Sequence, residues 1–325
     1  MIPPKYVLTT KISQLLSSIE ASRAVIDAYP LPPEIEANIR RTSSLKSSLY
    51  SARIEGNPLT LEEMENPSRT QKKQEVFNIL KALNWLRQEE KKDMTLTSIL
   101  KLHMLTMKGL TEECGRIRTQ VNAIFNSAGI AIYIPPPPRQ VTLLLERLVK
   151  FATSTKESLV PIRAVLAHYT FEKIHPFLDG NGRVGRLVMQ KVLAHGGYSM
   201  KGLLSMEEFL DTHRSTYYKI LESPERDATD YVEFMLEAID TTARHAKEQV
   251  IQKQRAERAD YLLPRRAEIY YVIKDHRIVS FDQIHRRFMA VNPRTLRYDL
   301  KKLQEGRFIR KRGTTKGVYY ESEIK

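Results

Sequence analysis

The sequence predicts a mainly helical chain with one β-hairpin in its body and a small basic domain at its C-terminal end. Three observations carry that expectation. Apolar residues recur at helical spacing through most of the first 250 positions. That periodicity fails only between Gly115 and Pro138. Charge is concentrated at one end: residues 251–325 hold 19 Lys and Arg against 9 Asp and Glu, whereas the rest of the chain holds 33 against 29.

At 325 residues the chain exceeds the usual single domain, so two or three compact units are expected. The 42% of hydrophobic residues is enough for a sizeable core, and no run approaches the ~20 apolar residues of a membrane helix. One cysteine, Cys114, excludes an intramolecular disulfide and points to a reducing compartment. The opening MIPPKYVLTT lacks a basic-then-apolar run, so no cleaved signal is expected and the cytoplasm is the expected location.

Taken in order, residues 1–30 carry a polar helical pattern that stops at Pro30. A second helix runs from Glu34 to Ile54, with Ile35, Ile39, Leu45, Leu49 and Ile54 on one face and Gly56 and Pro58 as its stop. Thr60-Leu-Glu-Glu63 reads as a capping box opening a short helix. Further amphipathic helices are expected over 75–90 and 98–108. Val121 to Phe125 and Ile130 to Ile134 are β-prone runs around the turn-like Asn126-Ser-Ala-Gly129, and four prolines, Pro135 to Pro138, end the hairpin. Helices resume over 141–151, 161–174, 182–193 and 205–221, and again from Thr229.

In the tail the order is helix, helix, turn, helix, hairpin. Ser280-Phe-Asp-Gln283 is a capping box, and Asn292-Pro293 supplies an N-cap and a first-turn proline. Leu296, Leu300 and Leu303 form one stripe of the third helix, and Arg294, Arg297 and Lys301 lie on the other side. Phe308 to Tyr320, with Gly313 and Gly317, reads as a two-stranded wing. The pattern resembles a winged helix-turn-helix, whose third helix would enter the major groove of DNA. Docking of a protein is the alternative use of such a domain.

The chemistry sits in Phe171-Glu-Lys-Ile-His-Pro-Phe-Leu-Asp-Gly-Asn-Gly-Arg-Val-Gly-Arg186. Backbone N–H groups of Gly180, Asn181 and Gly182 at a helix start would form an anion-binding nest. Arg183 and Arg186, three apart, share one side of the first turn. Asp179 offers hard oxygen ligands suited to Mg²⁺ held jointly with phosphates. His175 can accept a proton near neutral pH, as a hydroxyl nucleophile attacking phosphorus requires. Arginines this early in a helix oppose its dipole unless an anion sits there. The conjunction implies transfer of a phosphate-containing group.

This segment resembles the Fic family motif H-P-F-x-[D/E]-G-N-G-R-x-x-R at every specified position. Gly115-Arg-Ile-Arg118 resembles the G-x-[F/Y]-R segment before the family's flap, with Ile117 in place of the aromatic residue. Ile134-Pro135-Pro136 resembles the end of the flap, and Arg214-x-x-Tyr217-Tyr218-x-x-Leu221 resembles a segment lining the adenine pocket. The resemblance covers roughly residues 35–240. It implies AMP transfer from ATP to a protein hydroxyl (Ser, Thr or Tyr), with self-modification and a homodimer both compatible.

By that resemblance His175 deprotonates the target hydroxyl, Asp179 holds Mg²⁺, and Gly180, Asn181 and Gly182 cradle phosphates. Arg183 and Arg186, with Val184 and Gly185 between them, face the β- and γ-phosphates. Phe177 anchors the loop, and Ala131, Ile132, Tyr133 and Ile134 align the target by strand addition. Tyr217 and Tyr218 complete the ATP site. Relatives resembling the Doc toxin carry a lysine where this chain has Gly182 and act as kinases, so Gly182 favours AMP transfer.

Ser51-Ala-Arg-Ile-Glu-Gly-Asn57 is the last turn of the second helix, with Ser51 and Glu55 on one face. It resembles the inhibitory motif [S/T]-x-x-x-E-[G/N] of Fic proteins, in which Glu55 would pair with Arg186 and exclude the ATP γ-phosphate from its productive pose. The expected organisation is an inhibitory helical region over 1–60, a Fic core over 61–240, a helical linker over 241–262 and the winged helix over 263–325. Two other readings share these residues: removal of AMP, with Glu55 orienting water, and a DNA-binding regulator with a nucleotide-sensing core.

Overall fold

The computed structural model describes residues 2–65, 70–125, 131–222, 227–255, 262–313 and 317–323. The chain divides into two compact units, Met1–Ile251 and Gln252–Lys325.

The first unit opens with α1 (Thr10–Ala28), capped by the Thr9 hydroxyl, which accepts from the Ile12 amide. Helix α2 (Pro33–Ile54) starts on Pro33, whose missing N–H is no loss in a first turn, and ends with Glu55 as its cap. The short α3 (Leu61–Glu65) follows the expected capping box: the Thr60 amide donates to Glu63 Oε2 at 2.9 Å, and the Glu63 amide donates to Thr60 Oγ1 at 3.3 Å. Then come α4 (Gln71–Gln88) and α5 (Leu96–Met107), capped by Thr70 and Thr95.

The hairpin is shorter than its β-prone runs. Strand β1 is Ile124–Phe125 and β2 is Ala131–Tyr133, antiparallel with Ile124 opposite Tyr133 and a shifted register beside it. The Asn126–Gly129 turn lies outside the described residues. The fourth proline of the run, rather than blocking a helix until Val141, is the first residue of α6 (Pro138–Ala152).

Helices α7 (Val160–Ile174) and α8 (Asn181–His195) pack against each other at the centre. Ten or more residues of each are buried, as befits helices apolar on more than one face. The single helix expected over 205–221 is two, α9 (Met206–Thr212) and α10 (Arg214–Glu222). They meet at His213, whose amide (3.0 Å) and Nδ1 (2.9 Å) both bond the Phe209 carbonyl and close the end of α9. Helix α11 (Thr229–Arg255) crosses the position 240 boundary without interruption. One continuous core joins Ile12 and Ile26 of α1 to Val250 of α11, so residues 1–60 pack as part of this unit. Each fully buried Leu, Ile or Phe in it contributes about 1.5–3 kcal/mol.

The second unit holds α12 (Pro264–His276), α13 (Phe281–Arg287) and α14 (Pro293–Glu305). The sheet has three strands, β3 (Ile278–Ser280), β4 (Ile309–Arg312) and β5 (Tyr319–Ser322), in the order β3-β5-β4, all antiparallel. The strand β3 was not expected, because three residues between helices give no readable alternation. The capping box at Ser280 and the Asn292 cap are both formed. Leu296, Leu300 and Leu303 are buried in a separate core with Ile269, Ile273 and Ile309. Asp299 of α14 is buried and takes Arg265 Nε at 2.6 Å and Arg266 Nε at 2.9 Å, which fastens α12 to α14. Among the described residues of the chain, no helix is long and apolar enough to cross a membrane.

Candidate active site around His175

His175 caps α7 in the left-handed conformation, φ 47° and ψ 62°, which a non-glycine residue adopts only when its surroundings hold it there. Arg118 does the holding. Its Nε donates to the His175 carbonyl at 2.8 Å, its NH2 to the Pro136 carbonyl at 2.5 Å, and its own amide to the Pro176 carbonyl at 2.9 Å. The imidazole Nδ1 lies 3.3 Å from the Glu172 carbonyl. As that carbonyl can only accept, Nδ1 carries the proton and Nε2 keeps its lone pair. Burial pushes the His175 pKa down to about 4, so the ring is neutral at pH 7.

The loop after His175 is built from the inside. Phe177 is fully buried and stacks on His103 with ring centres 3.7 Å apart. His103 accepts from the Gly115 amide at Nδ1 (2.8 Å), so Nε2–H donates to the Asp179 carbonyl (3.1 Å). Asn181 closes the loop on itself: its Oδ1 accepts from the Phe177 amide at 2.9 Å and its Nδ2 donates to the Phe177 carbonyl at 2.8 Å. Gly180 sits at φ 82°, where a side chain would also run into Met107. Being glycine, it offers no capping side chain, so the first N–H groups of α8 are left for another acceptor.

The two arginines face different partners. Arg183 NH1 reaches Glu75 Oε1 at 2.5 Å and NH2 reaches Asp179 Oδ1 at 2.7 Å, on a carboxylate that is 63% exposed. Arg186 is 1% exposed. Its Nε donates to Ser51 Oγ at 3.0 Å, and its NH2 donates to the Ser51 carbonyl and to Glu55 Oε1, each at 2.9 Å. Burial opposes the Arg186 charge, and the Glu55 carboxylate together with the Tyr217 and Tyr218 hydroxyls outweighs it, holding the pKa above its ordinary value.

A cavity of about 850 Å³ collects these groups. Glu55, His175, Gly182 and Arg186 border it on one side, and Tyr217, Tyr218, Arg214 and Leu221 of α10 on another. Ile132 and Tyr133 of β2 close it, with the Tyr133 hydroxyl donating to the Lys173 carbonyl at 2.9 Å. Tyr218 donates to the Ile54 carbonyl at 3.0 Å, tying α10 to the end of α2. The remaining residues named from sequence lie elsewhere. Ile134 is 69% exposed, and Ala131 is exposed too. Val184 is buried in the core. Gly185 serves packing, since a Cβ there would sit 2.0 Å from Glu172 Oε1. Asp179, Gly180, Asn181 and Arg183 form the loop beside the cavity rather than its lining.

Sequence reasoning assigned no role to Arg118, His103, Glu75 or Glu172. Arg118 at least stood in a readable segment; His103 looks like any mid-helix polar residue, and Glu75 and Glu172 like solvated charges. Glu172 is instead largely buried beside the cavity, its side chain 11% exposed, and desolvation pushes its carboxyl up to about 8, against the pull of Arg186. The neutral acid is the form the fold stabilises, so that contribution is complete below pH 4.5 and fades as pH rises through 8. Glu172→Gln, an uncharged mimic, should therefore gain stability relative to the parent by roughly 1.4 kcal/mol per pH unit between 5 and 8. Denaturant unfolding at pH 5, 6.5 and 8 reads this directly. A difference flat with pH would mean an ionised Glu172 in the folded state.

Residues 93–193 match the Fic/DOC family model. The chain carries a Fic/DOC domain. The Fic family protein of Desulfovibrio desulfuricans superposes with a TM-score of 0.69 at 25% identity, over 99% of this chain and 98% of that one. Fic-1 of C. elegans shares the fold, with a TM-score of 0.60 at 20% identity over 75% of this chain and 73% of that chain. Among curated relatives, "Protein adenylyltransferase Fic" of Drosophila willistoni is 27% identical over 251 residues, 73% of this chain and 48% of the relative. The same protein of Drosophila erecta is 29% identical over 70% of this chain and 46% of the relative. The chain thus spans about half the length of these curated relatives. The Fic domain as matched begins at Asp93, so α2 and its Glu55 lie outside it.

Proposed function

We propose that this chain transfers AMP from ATP to a Ser, Thr or Tyr hydroxyl of a target protein, and that Glu55 restrains it. The observation that carries the reading is the meeting of His175, Gly182 and Arg186 at one cavity, beside a helix start that lacks a capping side chain. The name of the Drosophila relatives supports the same activity.

ATP phosphates lie along the first turn of α8, with its N–H groups, Arg183 and Arg186 opposing their charge. Tyr217, Tyr218 and Leu221 offer the apolar wall that a purine base needs. The target oxygen bonds to the α-phosphorus as the bond from that phosphorus to the α–β bridging oxygen breaks, and pyrophosphate leaves. The hydroxyl proton passes to Nε2 of His175. A single exposed carboxylate, Asp179, fits Mg²⁺, which takes one or two protein carboxylates and completes its shell with phosphate oxygens and water. Bound there, Mg²⁺ would supply charge neutralisation for the phosphates. Ala131 and Ile134 are exposed and Ile132 and Tyr133 border the cavity, so the edge of β2 is one along which a target segment would align beside the site.

The test is incubation of the protein with a lysate and ATP labelled at either the α- or the γ-phosphate. Label should reach proteins from the α position alone. Transfer from the γ position would make this a kinase and end the reading.

A second proposal concerns the tail. Arg294, Arg297 and Lys301 are exposed on α14, opposite its buried leucines, which suits a helix set against phosphates in a major groove. This favours a DNA-binding winged helix. The full chain, and residues 252–325 alone, should bind duplex DNA with affinity falling steeply as salt rises. Arg297→Ala should lower the affinity and flatten the salt slope by about one unit. No retention of duplex at 20–50 mM salt, roughly where phosphate contacts are strongest, would assign the tail to protein docking.

A further inference from the structure

Helix α2 carries one continuous face, Arg40, Ser44, Ser47, Ser51 and Glu55, spaced by four, three, four and four residues. Its two ends are about 22 Å apart at 1.5 Å per residue. At one end Arg186 of α8 grips Ser51 and Glu55. In the middle Gln190, one turn further along α8, donates to Glu207 Oε1 at 2.7 Å and to Ser47 Oγ at 3.3 Å. At the other end α2 borders a separate cavity of about 270 Å³.

Three cations converge there: Arg40 of α2, Arg87 of α4 and Lys201 of the turn Met200–Gly202. Gly202 is their crossing point, since a Cβ on it would lie 3.2 Å from Arg40 Cδ and 3.3 Å from Arg87 Nε. The local acids do not balance them. Glu36 receives Arg40 at 3.3 Å and stands only 3.9 Å from Lys201. Among the described residues Arg87 forms no ion pair; its NH2 meets Ser44 Oγ and its NH1 meets Asn84 Oδ1 at 3.3 Å. Burial and the like charge of Arg40 push the Arg87 pKa down, and Glu90 opposes them only in part. The floor is apolar, with Leu83, Leu86, Leu193 and Met206.

We propose that this cavity is a binding site for a small organic phosphate, whose phosphate meets Arg40, Arg87 and Lys201 and whose apolar body rests on the leucines. Two like charges held together without a carboxylate between them are relieved by an anion. An occupant would join α2 to α4 and to the Met200–Gly202 turn, and so hold the whole face of α2 that ends in Glu55. The site is thus a means of tightening the restraint by Glu55, and that part rests on the reading of Glu55 given above.

The probe is phenyl phosphate, with inorganic phosphate as the second arm, titrated calorimetrically into the full chain. Phenyl phosphate should bind, and bind more tightly than inorganic phosphate, because of the apolar floor. Arg87→Gln and Lys201→Gln should each weaken it about tenfold or more. Amide exchange across residues 40–55 should slow when the probe is bound. Absence of binding at millimolar probe, or indifference to both Gln variants, would overturn the site. Lys201→Gln guards against misfolding, since Lys201 lies on the turn. Binding without slower exchange in α2 would overturn the coupling. Neither readout involves AMP transfer, so failure here is distinct from failure of the proposed activity.

Discussion

Replacing His175 with alanine should lower AMP transfer by at least ~100-fold while leaving ATP affinity within a few-fold of the parent. The imidazole is needed only when the target oxygen attacks. It makes none of the contacts proposed for the phosphates, and its backbone is held by Arg118 regardless of the side chain. His175→Asn, better suited to the left-handed conformation, separates loss of the base from strain at φ 47° and should be equally inactive. The base must be neutral to act, and its pKa lies near 4. The acid limb of kcat/KM should therefore fall well below pH 6.5, where an unburied histidine would place it. Transfer within tenfold of the parent in either variant, or a limb centred at 6.5, would remove His175 from the role of base.

Glu55→Gly should raise AMP transfer by about 10–100-fold, including transfer onto the enzyme itself, without a large change in ATP affinity. The carboxylate stands 2.9 Å from Arg186 and closes over Gly182, the place of the γ-phosphate in the proposed function. On that proposal ATP would still enter through the start of α8, but with its α-phosphate out of line for attack. Removing the carboxylate restores positioning more than affinity, and positioning errors of an ångström are worth about 100-fold. Arg186→Ala should not imitate the effect, because it breaks the restraint and the phosphate clamp together. The double variant should behave as Arg186→Ala does. Unchanged or lower transfer in Glu55→Gly, on several targets, would return Glu55 to being a helix-end surface residue.

Much of the arrangement was written locally and could be read. Helix starts were legible where Thr60, Ser280 and Asn292 satisfy amides within three residues of themselves, because such bonds need no distant partner. The pairing of Glu55 with Arg186, 131 residues apart, was reachable only through resemblance. What remained hidden was set by long-range geometry. Nothing near Arg183 shows that Glu75 will receive it, and nothing near His103 shows that it will stack beneath Phe177. The strand β3 is made a strand by β5, some forty residues later, rather than by its own three residues. The break at His213 falls inside the uninterrupted helical pattern of 205–221, which conceals it.

Gly182 gives the site a steric exclusivity. A Cβ at that position would stand 2.4 Å from Glu55 Oε1, well inside contact distance. The carboxylate is the far end of a flexible side chain, so it would yield at little cost, and what yields is its contact with Arg186. Position 182 can thus hold a side chain or face Glu55 in its present pose, but not both. Acquiring a side chain at position 182 and losing the Glu55–Arg186 contact proposed as the restraint would then be a single evolutionary step.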